Sequence, residues 1–393
     1  MLKEVQKEQL KKVLKEGVSS HFIAGGSLLL IKDGKEIFYD EDGYADIEKG
    51  VKVKRDSIFR LYSMSKPITA AAVMILLERG EIDLYDPISQ YLKGFQNQRL
   101  EVDGKTVPVE REIMIKDLLS MTSGLVYGGE TPAGRSTEKI LEELKSRLYS
   151  DSPMNTLEAI NRVGASPLAF QPGSYWEYGI SADVLGALIE VVSGKKFSEF
   201  LKEEIFLPLG MSDTDFWVPE EKRERLVKTY AKDEKGGLEI YEQNHLGIMQ
   251  KMDRKPAFES GGAGLVSTID DYAKFANMLM NKGTYNGKEI LSKRTVEFLT
   301  TSTLNANQQK GIETWQTLCG YSYGNLMRVM VDPTKAGDFA SAGEYGWDGW
   351  LGAYFLNCPK ENLTMLFLMQ KTDSGTTPLT RKLRNIIMSS CCE

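Results

Sequence analysis

The sequence predicts an α/β domain assembled from both ends of the chain, with a mainly helical insertion between them. Three observations predict it. Strand-type runs joined by a tight turn lie near the amino terminus, the middle reads as helices and loops, and short strands return toward the carboxyl terminus. A length of 393 residues with 41% hydrophobic composition is ample for a large core.

Taken in order, residues 2–14 place Leu2, Val5, Leu10, Val13 and Leu14 on one side of an amphipathic helix, which Gly17 is expected to end. Gly26 to Ile31 is a buried-strand run, Asp33-Gly34 is a hairpin turn, and Glu36 to Tyr39 is the return strand. Ser57 to Leu61 reads as another short strand. A helix is predicted from about Ser65 to Arg79, with Pro67 in its first turn and Gly80 as its stop. Its run from Ala70 to Leu77 is apolar nearly all round, so this helix should be deeply buried. Helices are expected at 115–121, 136–148, 182–192 and 197–206 in the middle. Beyond Gly261 the expectation is a helix at 270–281, strands at 320–324, 326–331, 352–357 and 363–369, and a final helix at 379–388. Residues 1–80 with 230–393 are assigned to the α/β domain, residues 81–229 to the helical one, and the active site to the junction. No internal repeat or low-complexity linker is present.

Composition excludes some functions. Net charge is −6, so no basic stripe is available to neutralise nucleic-acid phosphates. The start, Met1-Leu2-Lys3-Glu4, carries charge where a secretory signal needs an apolar run. The apolar run from Ala70 to Leu77 is far short of the roughly 20 residues that span a bilayer. A cytoplasmic protein with no membrane partner is the expectation. Cys319, Cys358, Cys391 and Cys392 show no C-x-x-C spacing and read as reduced thiols. His21 and His245 are the only histidines. Neither sits in a motif, so a hydrolase here should use a base other than histidine, and a catalytic zinc site has few ligands to draw on.

Ser63 and Lys66 supply a different base. They lie three apart at the start of the buried helix, on one face, within mutual reach. Burial lowers a lysine pKa, and a helix start offers free N–H groups to a developing oxyanion. The spacing alone is weak, because Ser136 with Lys139 and Ser193 with Lys196 repeat it. Those two sit on a charged helix and in a Gly-containing turn, where Ser136 reads as a helix cap and Ser193 as a turn residue.

The segment Ser57-Ile58-Phe59-Arg60-Leu61-Tyr62-Ser63-Met64-Ser65-Lys66-Pro67 resembles the nucleophile segment of the class C branch of the serine β-lactamase superfamily. Leu76 to Ile88, Leu118 to Leu125, Pro172-Gly173 with Trp176-Glu177-Tyr178, and Gly262 to Thr268 resemble it too, in order, over nearly the whole chain. The resemblance implies a β-lactamase/penicillin-binding-protein-like fold, with an antiparallel sheet flanked by helices and a mainly helical domain. It implies that Tyr178 heads the second motif, where a phenol, if partly ionised, shuttles a proton. Ile180 stands where that motif carries asparagine, and an aliphatic side chain cannot contact a substrate amide. The third motif, Lys-Thr-Gly in β-lactamases, is matched by Trp347-Asp348-Gly349, ahead of the strand 352–357, and is expected on an edge strand. Trp-x-Gly is similar to the family VIII carboxylesterases. By the same resemblance the N–H groups of Ser63 and Trp350 form the oxyanion hole.

These readings give a serine hydrolase with catalytic Ser63, Lys66 and Tyr178, and with Ile180, Trp347, Asp348 and Gly349 expected to contact substrate. No metal or organic cofactor is required. The expected partner is a small ester, amide or lactam, and the chain is expected as a monomer or homodimer. An esterase or amidase is preferred, with a β-lactamase or D-amino-acid peptidase, or a catalytically idle binding protein, as the alternatives.

Overall fold

The computed structural model describes residues 2–102 and 104–391. Ten strands and five helices position the site. The strands are β1 (Gly25–Lys32), β2 (Lys35–Asp46), β3 (Val51–Lys52), β4 (Phe59–Arg60), β5 (Val266–Ser267), β6 (Tyr321–Tyr323), β7 (Arg328–Met330), β8 (Tyr345–Asp348), β9 (Tyr354–Cys358) and β10 (Leu363–Met369). The helices are α1 (Glu4–Ser19), α2 (Lys66–Glu78), α3 (Ser181–Ser193), α4 (Ile269–Met280) and α5 (Pro378–Cys391).

Eight of the strands form one antiparallel sheet in the order β6-β7-β8-β9-β10-β1-β2-β3. Its centre joins the two ends of the chain, because β1 pairs with β10 from Gly26↔Met369 to Lys32↔Leu363. Asp33 (φ 52°) and Gly34 (φ 71°) make the β1–β2 hairpin, both left-handed as a type I′ turn requires. Alternation along β1 divides the core. Leu28 and Leu30 pack with Leu10 and Leu14 of α1 and with Leu383 and Ile387 of α5. Leu29 and Ile31 face the larger core built on α2, α3 and α4. Every residue of α2 from Lys66 to Leu76 is buried, as its all-apolar run predicts.

Several expectations need adjustment. Helix α1 runs through Gly17 to Ser19. Gly17 is a packing residue, since a Cβ there would stand 2.8 Å from Leu379 Cδ2 of α5. Of the strand expected at 57–61, only Phe59–Arg60 enters a ladder, with β5. Ser136 is no cap: Thr131 caps the helix Pro132–Arg147, and Ser136 Oγ lies inside that helix, 2.7 Å from Ser166 Oγ. The strand β8 was not predicted, being four residues long and interrupted by Gly346. It lies inside the sheet rather than at an edge. Its ladder with β7 covers only Tyr345 and Gly346, however, so Trp347 and Asp348 have no neighbouring strand on that side.

Cys319 and Cys358 are free thiols, Cys391 is the last residue of α5, and Cys392 lies outside the described residues. No helix among the described residues is long and apolar enough to cross a membrane.

Candidate active site

The nucleophile segment begins with backbone strain. Tyr62 adopts φ 45°, a region that favours glycine. Its fully buried ring packs against Trp350 (ring centroids 5.1 Å apart) and His245 (6.1 Å). The chain then makes a tight 3₁₀ turn, Tyr62–Ser65, that runs directly into α2. Ser63 and Lys66 therefore share one face at a buried helix start.

Lys66 Nζ donates to Ser63 Oγ (3.1 Å), to the Gly262 carbonyl (2.9 Å) and to Tyr127 OH (3.3 Å). The residue is 0% exposed. Burial pulls its pKa down to about 7, against the opposing fields of Asp183 and Asp348. A lysine poised there is neutral often enough at physiological pH to accept the serine proton.

Tyr178 completes the cluster. Its OH is hydrogen-bonded with Ser63 and accepts from Trp347 Nε1 (3.1 Å). Lys66 Nζ sits 4.6 Å from its ring centroid, and its ring stacks on Trp347 at 5.4 Å. Burial raises the Tyr178 pKa above the ordinary tyrosine value, so the phenol is held protonated. This departs from the partly ionised phenol considered above: Lys66, and not a phenolate, is the stronger base at rest. No histidine joins Ser63. His245 instead stacks on Trp350 at 4.1 Å, and His21 sits past the end of α1.

Two residues that sequence reasoning missed stand behind Lys66. Tyr127 is half-buried, its hydroxyl set against Lys66 and Asp183. Asp183, in the first turn of α3, accepts from the Ser260 hydroxyl and from the Gly262 N–H (3.2 Å). Burial raises its pKa while Lys66 opposes the rise. A buried aspartate three residues after the Ile180 slot was the available signal. Gly179 brings the two tyrosines together, since a Cβ there would lie 2.0 Å from the Leu125 carbonyl oxygen. The rings of Tyr127 and Tyr178 are 5.9 Å apart.

The cleft in front of Ser63 has a volume of about 350 Å³ and is walled by Tyr178, Trp315, Trp347, Asp348, Trp350 and Asp373. Trp347 and Asp348 reach it from β8. Asp348 accepts from Thr376 Oγ1 and is 3.5 Å from the buried Arg328 guanidinium. Trp350 Nε1 donates to Asp373 (2.8 Å). Gly349 lets the third-motif turn press on the nucleophile segment, because a Cβ there would lie 2.2 Å from the Leu61 carbonyl oxygen. It does not line the cleft. Ile180, expected to contact substrate, does not line it either: at 1% exposure it belongs to the core at the start of α3. Among the described residues no group of three or more His, Cys, Asp or Glu side chains is placed to share a metal ion.

The chain is similar to known proteins over nearly its whole length. Protein Rv1367c of Mycobacterium tuberculosis is 30% identical over 371 residues, covering 91% of this chain and 88% of that protein. Esterase EstB of Burkholderia gladioli is 29% identical over 394 residues, covering 96% and 94%. The solved structure of EstCE1, described as a hydrolase with promiscuous acyltransferase activity, superposes with a TM-score of 0.83 over 98% of each chain at 24% identity, which shows a shared fold. The Beta-lactamase family profile matches residues 10–386. The chain is a serine hydrolase that belongs to the Beta-lactamase family.

Proposed function

We propose that this hydrolase is a carboxylesterase-type enzyme acting on small uncharged esters or amides through an acyl-enzyme on Ser63. The observation that carries the reading is the lining of the cleft. Two aspartates, Asp348 and Asp373, line it, and among the described residues no lysine or arginine does. A β-lactam or a peptide with a free carboxylate would meet negative charge where an anchoring cation is needed. Tryptophan walls suit an apolar acyl or leaving group instead. The similarity to Esterase EstB supports the same reading.

In the proposed mechanism Ser63 Oγ attacks the acyl carbon and its proton passes to Lys66 Nζ. The carbonyl oxygen becomes an oxyanion held by the N–H groups of Ser63 and Trp350. Collapse expels the alcohol or amine, which takes the proton back from Lys66 through the Tyr178 hydroxyl. Water then attacks the ester on Ser63 by the same proton route and frees the acid and the serine. Residues 81–229 act as the helical domain that carries Tyr127 and Tyr178 toward the sheet-bearing domain of 1–80 and 230–393.

Turnover of p-nitrophenyl acetate and butyrate, compared with nitrocefin and D-alanyl-D-alanine peptides, tests the reading. Short esters should be cleaved fastest, and Ser63→Ala should abolish the reaction. Faster turnover of nitrocefin or of the peptides than of every ester would replace it with the β-lactamase or peptidase alternative. No turnover and no phosphonate labelling of Ser63 would leave only a binding role.

A further inference from the structure

A second cavity, of about 290 Å³, shares no lining residue with the cleft. Its wall includes Arg60, Arg223, Lys228 and Lys251, against two acidic side chains, Glu242 and Asp253. Such an excess of positive charge is unusual in a chain whose net charge is −6.

The arginine at its base is the informative residue. Arg60 is 4% exposed, yet among the described residues no carboxylate lies within ion-pairing distance of it. Its guanidinium donates only to the backbone carbonyls of Gln250 (Nε at 3.0 Å, with Nη2 bonded to the same oxygen) and Val227 (Nη1 at 2.8 Å). Burial without a counter-charge draws its pKa below the ordinary arginine value, to about 10. Buried charges are ordinarily paired, and neutral carbonyls leave this one uncompensated.

Its neighbours are unpaired as well. Arg223 donates to the carbonyls of Val218 (3.4 Å) and Asp253 (2.6 Å), and among the described residues neither Lys228 nor Lys251 forms an ion pair. The Asp253 carboxylate has Arg254, which is outside the cavity wall, at the ion-pair distance of 3.6 Å, with no hydrogen bond to that oxygen. Three wall side chains carry a buried polar atom without a hydrogen-bond partner, the Thr229 hydroxyl, the Gln250 amide oxygen and the Asp253 Oδ1, and of these the Thr229 hydroxyl is the one able to donate to an anion. Four cations less two carboxylates leave a surplus of two positive charges around the cavity.

We propose that this cavity binds a divalent oxyanion of the phosphate type, free or as a small phosphate monoester. A dianion matches the surplus charge, and a tetrahedral anion can accept simultaneously from the remaining Arg60 N–H groups, the lysines and the Thr229 hydroxyl. The cavity neighbours the cleft, since Tyr241 of its wall packs edge-on against Trp350 of the cleft with ring centroids 5.6 Å apart. Arg60 is three residues before Ser63, and Gln370 brackets its backbone, accepting from the Arg60 N–H (3.1 Å) and donating to its carbonyl (3.0 Å).

The test is thermal unfolding and calorimetric titration of the full chain with inorganic phosphate at constant ionic strength, with chloride and acetate as controls. Phosphate should raise Tm saturably while the controls do not, because a ligand bound only by the folded state stabilises it. Glycerol 3-phosphate in place of phosphate separates the two sources: tighter binding assigns the site to a monoester, weaker binding to the free ion. The variant Lys228→Gln/Lys251→Gln, which alters one half-buried and one exposed lysine of the wall, should weaken binding about tenfold or more, as loss of two charged contacts predicts. It should leave p-nitrophenyl butyrate hydrolysis unchanged. No saturable phosphate binding, or a Tm rise that persists unaltered in this variant, overturns the proposal. Neither result bears on the esterase reading, which ester turnover tests separately.

Discussion

Ser63 with Lys66 and Ser193 with Lys196 share the same tetrapeptide spacing and have opposite fates. The first pair opens a helix buried through its first eleven residues, and its amine is sealed from water. The second closes a helix at the surface. Ser193 Oγ donates back to the Ile189 carbonyl (2.6 Å) and also accepts from the Lys195 N–H (3.2 Å), a local cap that leaves Lys196 exposed. Spacing brings a serine and a lysine within reach; desolvation lowers the lysine pKa, as the proposed role of Lys66 as base requires. The comparison also shows that the environment of Lys66 is mixed. Burial favours the neutral amine, whereas Asp183 and Asp348 favour the charged one.

The largest expected effect is the contrast itself. Ser63→Ala should lower ester turnover by about 10⁴-fold or more, while Ser193→Ala and Ser136→Ala should stay within about twofold of the parent, as measured by initial rates on p-nitrophenyl butyrate. Lys66→Met should cost about 10³-fold. In the parent enzyme kcat/KM should climb with pH and level off above about 7, where Lys66 has lost its proton, and the residual activity of Lys66→Met should lack that limb. A pH-rate profile that is flat from 5 to 9 in the parent would contradict the role given to this lysine.

Tyr127→Phe sharpens the comparison further. It removes one hydrogen bond to the Lys66 amine and should cost about tenfold in kcat with little change in KM. Asp183→Asn keeps the shape but removes a negative charge that holds the Lys66 proton in place. The acid limb should therefore move to lower pH; an unmoved limb would reduce Asp183 to a structural role. The smallest signal is in stability. Folded Lys66 loses its proton near pH 7, while the unfolded lysine keeps it to about 10.5. Between those values the unfolded state binds more protons, so stability should rise with pH, and the urea midpoint of Lys66→Met should lack that contribution.

Some elements were legible from local pattern. Strand β10 was read at its observed bounds, 363–369, because a seven-residue apolar run buried on both faces has one interpretation. The hairpin at Asp33-Gly34 and the buried helix after Ser63 were equally plain. The strand β8 was not, since its pairing with β9 depends on residues outside it and its own composition is half turn-forming. Within the site, Ser63, Lys66 and Tyr178 were found by motif, and the structure brings all three together. Tyr127 and Asp183 were missed because no fixed spacing ties them to Ser63: they meet Lys66 only after two loops, 121–127 and 260–262, close around it. Ile180 failed in the other direction, since an aligned slot does not reveal which way a side chain turns.

By itself the sequence offered the candidates: a serine and a lysine one helical turn apart and too few histidines for another base are properties of residue type and local spacing, whereas the tyrosine, and the tryptophan and aspartate where β-lactamases carry a lysine, were named by the family resemblance. Only the tertiary structure decided which of three identical spacings is buried and in contact at a cleft, which carboxylate faces the lysine, and that Arg60 is buried without a counter-charge. Burial and electrostatic pairing arise from contacts between distant segments, as Arg60 with Gln370, 310 residues apart, illustrates, and no local pattern contains them.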